Sequence, residues 1–362
     1  MSIGLWSTHY SEITGQAIVT RRVAQHVLPT LDGFRHYVFP ATGRPIAVAL
    51  WVTSWIRLWL DIVFGRIDTL YLVCSRSNAG FVRDMPALMA AQAGVRVVVH
   101  SHGGDIVDLL KRRWFSGVVR WLYAPCDMIV PSTHLVESLN SLVRTVTVCE
   151  AFYDGNARRM DDDTHRRHNG LVVLWNSNVM ASKGFFDVFA AIECLQRAGL
   201  SIKLVCLGAL VADREMAFEA LSSRFSSLGN PSWFDYQGRQ PHAEAVKRLN
   251  NADVIVLPSR HHAESQGIAI IEAMCVGKAI VVSDIPALRA TLKDYPADYV
   301  PTHSVAAVTQ ALHRIYLEKI MAPQVFINAR FDDALKAQER FSVDRFDRQM
   351  ADMLGTKSLS IE

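Results

Sequence analysis

The sequence predicts an α/β protein made of two Rossmann-like domains, each with a parallel sheet covered by helices on both faces. Short runs rich in β-branched residues alternate with longer helical patterns along the 362 residues. Such alternation is typical of parallel sheets. It occurs in two series separated by a polar segment, and a chain of this length is sufficient for two cores.

The first series of strands occupies residues 1–157, which we interpret as one domain. Its predicted strands are IGLWS, HYVF, TLYLVC, VRVVVHSH, DMIVP and TVTVCEA. Helical patterns such as MPALMAAQAG and STHLVESLNSL lie between them. Residues 158–170 are polar and mixed in charge, so they are predicted to form a linker. The three adjacent aspartates at 161–163 fit a solvated turn or helix start better than a metal site.

The second series occupies residues 171–339 and predicts the second domain. Its predicted strands are LVVLWNS, IKLVCLG, FDYQG, DVIVLPS, KAIVVSD and DYVP. A helix is predicted from Lys183 to Ala198. The last helical pattern, SVDRFDRQMADML, lies in residues 340–362 and is expected to pack back on the first domain. Two such domains facing each other leave a cleft between the carboxyl edges of their sheets, where open α/β sheets bind ligands.

Composition and charge exclude several functional classes. Half of the residues are hydrophobic and a fifth are charged, which is typical of a globular protein. The formal net charge of +3 and the lack of a long basic run argue against nucleic acid as a partner. The six cysteines have no metal-ligand spacing and lie in or beside apolar runs. They are predicted to be free buried thiols, and with no secretory signal at the N-terminus a cytoplasmic protein is expected.

The segment IAVALWVTSWIRLWLDIVF, residues 46–64, is long enough to raise the question of a membrane. Arg57 and Asp61 lie one helical turn apart within it, which disfavours a transmembrane span. Three tryptophans fall along one helical stripe of the segment: Trp51, Trp55 and Trp59. Two interpretations stay open. The helix either packs in the core or lies against a membrane surface, together with the basic-aromatic run KRRWF at 111–115.

The stretch ESQGIAIIE places carboxylates at Glu264 and Glu272, on either side of a predicted helix start. The first turn of that helix leaves backbone N–H groups unpaired at its positive end, which suits an anionic phosphate. Gly267 lets the backbone approach a ligand closely. A ligand with phosphate in the middle and hydroxyls at both ends fits this arrangement, and a nucleotide sugar has that layout.

With NADVIVLPS before it and EAMCVGKAIVVSD at its end, this stretch resembles the E-x7-E signature of retaining GT-B glycosyltransferases of family four. The resemblance extends to SKGFFDVFAAI at 182–192 and to VVVHSHGGD in the first domain, in the expected order. It implies a GT-B fold. It also implies transfer of a sugar from a UDP- or GDP-sugar to a saccharide or lipid-linked saccharide in the assembly of surface polysaccharide.

The resemblance implies roles for individual residues of the second domain. Glu272 would bind the ribose hydroxyls of the donor, Glu264 would face the transferred sugar, and Lys183 would neutralise the leaving diphosphate. Gly238 would let the backbone approach the base, with Arg239 beside it; an ordinary loop pair is the alternative. Backbone amides at the helix start would hold hydroxyls and phosphate; they belong to Ser265, Gln266, Gly267 and Ile268.

In the first domain, the resemblance implies that Gly15 approaches the diphosphate and that His102 lies near the donor sugar and the reacting centre. A turn glycine and a strand-end histidine bonded to the backbone are the structural alternatives. Asp105 either caps the next helix or orients the acceptor.

One departure from the family pattern concerns charge. The family usually carries an arginine shortly before the lysine, and here Ser177 and Asn178 occupy those places. Asn178 can still bind the donor, but a charge-assisted contact is replaced by a neutral hydrogen bond. Arg260 or Arg239 would have to supply the missing charge.

No DxD-type motif follows a strand, so catalysis without a bound metal or other cofactor is expected. The implied course is retention at the anomeric carbon: the acceptor hydroxyl attacks the face that the diphosphate leaves, and a phosphate oxygen takes its proton. Two alternatives are a nucleotide-sugar 2-epimerase and a non-catalytic nucleotide-sugar-binding protein. A nicotinamide-dependent dehydrogenase is disfavoured because GxGxxG follows none of the strands.

Overall fold

The computed structural model describes residues 2–9, 15–31, 34–39, 45–111, 116–155 and 170–355. The chain forms two compact units: unit 1 is Met1–Phe152 with Val343–Glu362, and unit 2 is Tyr153–Ser342. The two ends of unit 2 lie side by side. There the N–H of Tyr153 donates to the carbonyl oxygen of Phe341 at 2.8 Å, and Tyr153 forms a parallel bridge with Ser342. The predicted linker, with its three aspartates, lies outside the described residues except for Gly170.

Unit 1 contains a six-stranded parallel sheet in the order β2-β1-β3-β4-β5-β6. The strands are β1 (Ile3–Thr8), β2 (Phe34–Phe39), β3 (Thr69–Val73), β4 (Arg96–His100), β5 (Asp127–Val130) and β6 (Thr145–Val148). Successive side chains enter opposite apolar layers, as the two-residue period of a strand requires. Leu70 and Leu72 belong to one buried cluster, and Tyr71 and Val73 belong to the other.

The helices of unit 1 cover both faces of its sheet. They are α1 (Gly15–Arg22), α2 (Pro45–Val63), α3 (Asn78–Leu88), α4 (Ile106–Lys111), α5 (Ser116–Tyr123) and α6 (Val136–Leu139). A π-helical turn (Val23–Val27) continues α1, and 3-10 turns occur at Leu28–Thr30, Met89–Ala93 and Thr133–Leu135.

The C-terminal helix of the described chain, Val343–Gly355, belongs to unit 1. Phe346, Met350 and Leu354 lie four residues apart, so they share one face of the helix. All three are buried in the same apolar layer as Leu5 of β1.

The tryptophans of α2 serve different ends. The indole N–H of Trp51 donates to the carbonyl oxygen of Arg83 at 2.9 Å, and that of Trp59 donates to Pro86 at 3.2 Å. Trp55 is instead 41% exposed. None of the helices in the described parts of the chain combines the length and the apolar character that crossing a bilayer requires.

Unit 2 contains a second six-stranded parallel sheet, in the order β12-β11-β10-β7-β8-β9. The strands are β7 (Leu171–Asn176), β8 (Ile202–Leu207), β9 (Phe234–Gly238), β10 (Val254–Leu257), β11 (Ala279–Ser283) and β12 (Asp298–Val300). Both sheets therefore confirm the predicted α/β class. The chain starts in the middle of the second sheet at β7 and later returns to its other side at β10, so the strand order reverses between them. Ligands of open α/β sheets bind at such a reversal, outside the carboxyl ends of the strands.

The helices of unit 2 alternate with its strands. After a 3-10 turn at Ala181–Lys183 they are α7 (Phe185–Arg197), α8 (Phe218–Ser226), α9 (His242–Asn251), α10 (Ile268–Cys275), α11 (Pro286–Thr291), α12 (Val305–Met321), α13 (Pro323–Asn328) and α14 (Phe331–Arg340). The helix of unit 1 at Val343–Gly355 then becomes α15 in chain order.

Two sequence predictions need correction. Lys183 does not begin a helix, because Gly184 takes a left-handed conformation with φ +81° and α7 starts only at Phe185. Cys194 is exposed, whereas the other five cysteines are buried. The apolar pattern around Cys194 belongs to the buried face of α7, and the cysteine lies on the other face.

Lys278 is a fully buried lysine whose side chain bonds to the end of α9. Its Nζ donates to the carbonyl oxygens of Asn250 and Ala252, both at 2.8 Å. Carbonyls at the carboxyl end of a helix lack hydrogen-bond donors within the helix. The ammonium group of Lys278 supplies the donor here. Burial lowers the pKa of Lys278 to about 7.

The low pKa of Lys278 predicts that this group makes stability rise with pH. In the unfolded chain the lysine holds its proton up to about pH 10.4, whereas the folded protein releases it near pH 7. The unfolded state therefore binds more protons between these values, and stability increases by up to about 1.4 kcal/mol per pH unit. The melting temperature of the wild type minus that of Lys278→Met should become larger from pH 7 to pH 9. The exposed Lys247→Met is the control, and a difference that stays constant for Lys278→Met would contradict the assignment.

Candidate functional site in unit 2

The loop after β7 is shaped by two glycines that have no room for a side chain. A Cβ on Gly184 would lie 2.5 Å from the carbonyl oxygen of Pro258, and one on Gly208 would collide with the carbonyl group of Ser177. The indole of Trp175 also donates to the Ser177 carbonyl oxygen at 2.7 Å. The loop is thus pressed against the loops after β10 and β8.

Lys183 and Glu264 meet at this edge of the sheet. The Nζ of Lys183 lies 3.7 Å from Oε2 of Glu264 and donates to Oγ of Ser177 at 2.9 Å. Glu264 Oε2 also accepts from Oγ of the buried Ser259 at 2.7 Å. The side chains of Lys183 and Glu264 are 18% and 9% exposed. Charges so shielded are tolerated when they are paired and hydrogen-bonded, and the cluster therefore holds one ammonium and one carboxylate in fixed positions.

Two further residues fix the turn that carries Lys183, and neither was identified from the sequence. Asp213, in the loop after β8, accepts from the backbone N–H of Ser182 at 2.7 Å. Although burial acts to raise the pKa of Asp213, the hydrogen bonds from Ser182 and from the backbone of its own loop lower it. The Oγ of Ser182 is bonded to Nδ1 of His261 at 2.9 Å. No motif marks these contacts, because each joins loops that follow different strands.

Arg260 is engaged elsewhere. Its guanidinium lies 2.7 Å from Glu215 and 3.3 Å from Asp187, while its backbone N–H donates to the carbonyl oxygen of Ser182 at 2.8 Å. The expectation that Arg260 supplies the charge missing at Ser177 and Asn178 would require these two ion pairs to break.

The start of α10 lies where the sequence predicted it. Gly267 precedes the helix with φ −78°, a conformation open to any residue, so its glycine is not required by the backbone. A Cβ there would approach Ile270 Cγ1 to 3.2 Å. Ser265 is buried, whereas Gln266 and Ile268 are partly exposed. These residues and the backbone amides of the first turn therefore lie together at the N-terminal end of α10.

Glu272 lies on the second turn of α10 and is held by a histidine. Its Oε1 is 2.5 Å from Nε2 of His242, the first residue of α9. The other ring nitrogen, Nδ1, is 3.8 Å from Oδ2 of Asp154. The hydrogen bond with Glu272 raises the pKa of His242 above its usual value, against the lowering effect of burial, and the charges of Glu272 and Asp154 act in the same direction as the bond. No motif or spacing in the sequence marks His242.

The remaining predicted donor residues lie on neighbouring loops of the same edge. Gly238 takes φ +65°, and its carbonyl oxygen accepts from the N–H of Gly208 at 2.8 Å. The side chains of Asn178 and Arg239 are exposed. Among the predicted residues, folding places Lys183 beside Glu264, and it places Glu272 beside His242.

In unit 1 the predicted residues follow β1 and β4. Gly15 is the first residue of α1, and the residues just before it lie outside the described chain. The ring of His102 lies 4.1 Å from that of His100. Burial, together with the neighbouring His100 ring and the charge of Arg76, lowers the pKa of His102 well below its usual value, so its ring is neutral near pH 7. Asp105 accepts from Arg76 at 2.9 Å, and its side chain is engaged in this ion pair.

The bond between His242 and Glu272 predicts the titration of the histidine. Its pKa should lie above about 6.5 and fall in Glu272→Gln, because the charge that favours the imidazolium is lost. With a raised folded pKa, protonated His242 stabilises the fold below about pH 6.5, and this contribution is lost as pH rises through the folded value. Titration of histidine-labelled protein by NMR measures the pKa, with Glu193→Gln on α7 as the control. A pKa that is the same in Glu272→Gln would contradict the bond.

The chain is similar to known proteins in sequence over part of its length and in fold over nearly all of it. Residues 158–330 match the family described as glycosyl transferases group 1, a segment just under half the length of the chain. No curated protein matches the chain significantly.

Several solved structures share the fold over nearly the whole chain. Sucrose-phosphate synthase from Thermosynechococcus elongatus has a TM-score of 0.74 at 14% identity, covering 97% of this chain and 98% of its own. Anabaena HepE, solved with UDP and glucose, has a TM-score of 0.70 at 14% identity, covering 98% and 99%. WaaG, a glycosyltransferase involved in lipopolysaccharide biosynthesis, has a TM-score of 0.62 at 13% identity, covering 99% and 100%. The segment that carries Lys183, Glu264 and Glu272 thus matches the glycosyl transferases group 1, on a chain with the GT-B fold of two Rossmann-like domains.

Proposed function

We propose that the protein is a retaining glycosyltransferase that moves a sugar from a UDP- or GDP-sugar to a saccharide or lipid-linked saccharide acceptor in the assembly of surface polysaccharide. The observation that carries the proposal is the Lys183–Glu264 cluster at the strand-order reversal of unit 2. It lies within the segment that matches the glycosyl transferases group 1. Proteins with a similar fold support the donor class, since HepE was solved with UDP and with UDP-glucose.

The leaving diphosphate would bind at Lys183. The ammonium group is held by Ser177 and Glu264 and so is already oriented before a ligand arrives. A diphosphate oxygen would gain a charge-assisted hydrogen bond from it. Such preorganised charge stabilises the negative charge that develops on the leaving group as the glycosidic bond breaks. We expect it to suffice without a metal ion.

The rest of the donor would extend from this cluster along α10. Glu264, which lies 3.7 Å from the Lys183 ammonium, would accept from hydroxyls of the transferred sugar. The amides of residues 265–268 would hold hydroxyls and phosphate at the positive end of the helix, and Glu272 would accept from the ribose. The loop at Gly238 and Arg239 would approach the base.

The acceptor would bind unit 1. The neutral ring of His102 can donate or accept one hydrogen bond near the reacting centre without repelling an oxocarbenium-like transition state. Attack by the acceptor hydroxyl on the face that the diphosphate leaves, with its proton passing to a phosphate oxygen, retains the anomeric configuration. This course needs no nucleophile from the protein.

We also propose that α2 contacts an anionic membrane surface from the cytosol, where nucleotide sugars are made. Seven apolar residues in and just after this helix are between 41% and 75% exposed: Val48, Leu50, Trp55, Ile56, Leu60, Val63 and Phe64. Trp55, Ile56, Leu60 and Val63 follow Val48 by seven, eight, twelve and fifteen residues, so these five lie on one side of the helix. The exposed Arg57 adjoins them, and Arg112 and Arg113 of the KRRWF run lie outside the described residues. An apolar face beside basic residues is typical of helices that lie in a membrane interface.

Donor binding tests the main proposal. UDP or GDP should raise the melting temperature of the wild type, as any ligand specific for the folded state does. Glu272→Ala should lose most of this shift, because hydrogen bonds to a charged group contribute about 1.5–3 kcal/mol. Lys183→Ala should lose it as well, through the diphosphate. Glu193→Ala and Lys203→Ala, which alter exposed charges of unit 2, should keep the full shift.

Product analysis separates the remaining enzyme classes. A transferase needs the acceptor for rapid turnover and at most hydrolyses the donor slowly when alone. Conversion of the donor alone into an epimer would indicate the 2-epimerase, and binding without turnover with any saccharide acceptor would indicate a binding protein. Full shifts in both Glu272→Ala and Lys183→Ala would refute the donor site.

Sedimentation with vesicles tests the membrane contact. The protein should sediment with vesicles of phosphatidylglycerol and phosphatidylcholine more than with phosphatidylcholine alone, and less at high salt. Replacing Ile56 and Val63 by serine should reduce binding, since each buried apolar side chain contributes about 1.5–3 kcal/mol. Leu335→Ser, at a similarly exposed apolar residue of unit 2, is the control. Equal sedimentation of the α2 variant and the wild type would contradict the proposal.

A further inference from the structure

A histidine lies between two carboxylates beside the proposed ribose site. The Nε2 atom of His242 is 2.5 Å from Glu272 Oε1, and Nδ1 is 3.8 Å from Asp154 Oδ2. The Glu272 side chain is 7% exposed, while those of His242 and Asp154 are about 30% exposed. The three residues come from α10, the start of α9 and the segment that enters unit 2. Folding therefore assembles the cluster from three separate parts of the chain.

The position of His242 is unfavourable for a structural cation. It is the first residue of α9, where the positive end of the helix disfavours a protonated side chain. Glu272 and Asp154 act in the opposite direction: the hydrogen bond with Glu272 raises the pKa of the ring against the lowering effect of burial, and the charges of both carboxylates add to it. The two carboxylates thus hold the His242 ring at the helix start, and the ring in return fixes the orientation of Glu272.

The geometry leaves Glu272 able to bind a second partner. A carboxylate has about four lone-pair positions, and the bond to His242 occupies one of them, on Oε1. An imidazole with a proton on Nε2, whether neutral or protonated, donates to Oε1 of Glu272. This bond holds Oε1 in place and so restricts the rotation that would move Oε2. A diol presents two hydroxyl donors in fixed geometry and needs a carboxylate whose rotation is restricted.

We propose that His242 is a positioning residue that locks the Glu272 carboxylate for the vicinal hydroxyls of the donor ribose, with Asp154 orienting the imidazole ring. The inference rests on the proposed function and extends it to a residue outside the E-x7-E stretch. His242 touches Glu272 and not the ribose, so its effect must pass through the carboxylate. Replacing His242 should therefore weaken binding only of nucleotides whose ribose hydroxyls Glu272 can accept.

Two matched variants isolate the Nε2 contact. In His242→Gln the side-chain amide nitrogen takes approximately the place of Nε2 and can still donate to Glu272. In His242→Asn the amide nitrogen corresponds to Nδ1, on the side of Asp154, and does not reach Glu272. Both are polar and uncharged, so the difference between them reports the position of the donor. Lys247→Ala, at an exposed lysine of the same helix, is the control.

Dissociation constants for UDP and GDP, and for their 2′-deoxy forms, provide the test by calorimetry. The wild type should prefer the ribonucleotide by at least about tenfold, the effect expected of a hydrogen bond to a charged group. His242→Asn should lose most of this preference while its affinity for the 2′-deoxy form stays within about twofold. His242→Gln and Lys247→Ala should retain most of the preference.

The outcomes separate this inference from the donor site itself. If Glu272→Gln loses the ribose preference but His242→Asn keeps it, the positioning role is wrong and the donor site stands. An equal loss of affinity for both nucleotide forms in His242→Asn would show a structural role and also overturn the inference. Failure of the wild type to bind either nucleotide would overturn the proposed function, and the inference with it. Melting temperatures of both histidine variants confirm that they fold.

Discussion

The contact between the loops after β7 and β10 is the constraint on which the site depends. These strands are neighbours in the second sheet, and the chain leaves them in opposite directions around it, which opens a crevice at their carboxyl ends. Lys183 and Glu264 are far apart in sequence and meet there at 3.7 Å. The contact is close because Gly184 allows its turn to lie directly against Pro258. A larger residue at 184 would separate the ammonium from the carboxylate.

Unit 2 balances its shielded charges locally. Lys319 pairs with the buried Asp253 at 2.6 Å, and Lys278 is bonded to backbone carbonyls. Arg260 is held by acidic partners from a neighbouring loop and helix. Lys183 differs in having a serine and a carboxylate as partners beside a helix entrance. Under the proposed function, an incoming phosphate would join the lysine at this position.

Ser177 stands where the family that the sequence resembles usually carries an arginine, and the structure shows what the serine does there. Where the family that the sequence resembles usually has a second cation, Ser177 accepts a hydrogen bond from Lys183 and orients its ammonium group. Arg260 is close in sequence to the site but occupied by Glu215 and Asp187. Under the proposed function, the described part of the site would thus rely on the oriented ammonium of Lys183 and on helix amides. Oriented dipoles stabilise developing charge without the cost of reorganising at the moment of reaction.

The sequence by itself determined the two sheets and most helices, and it predicted the residues of the candidate site. Strand periodicity and the E-x7-E spacing are local patterns, readable without knowing which elements touch. It misjudged the start of α7, because the left-handed turn at Gly184 depends on contact with Pro258. It also left the tryptophans of α2 undecided, and the structure divides them: Trp51 and Trp59 bond to α3, while Trp55 faces outward.

Only the tertiary structure decided the partners of the site. His242 with Glu272, Asp213 with Ser182, and Arg260 with Glu215 each join side chains from different loops or helices. Such contacts leave no period and no fixed spacing in the sequence, since any loop of suitable length can supply them. A short motif records where a helix begins and which side chains it carries. Strand order and packing decide which neighbouring side chain fixes the orientation of those on the helix. Both become defined only when the chain has folded.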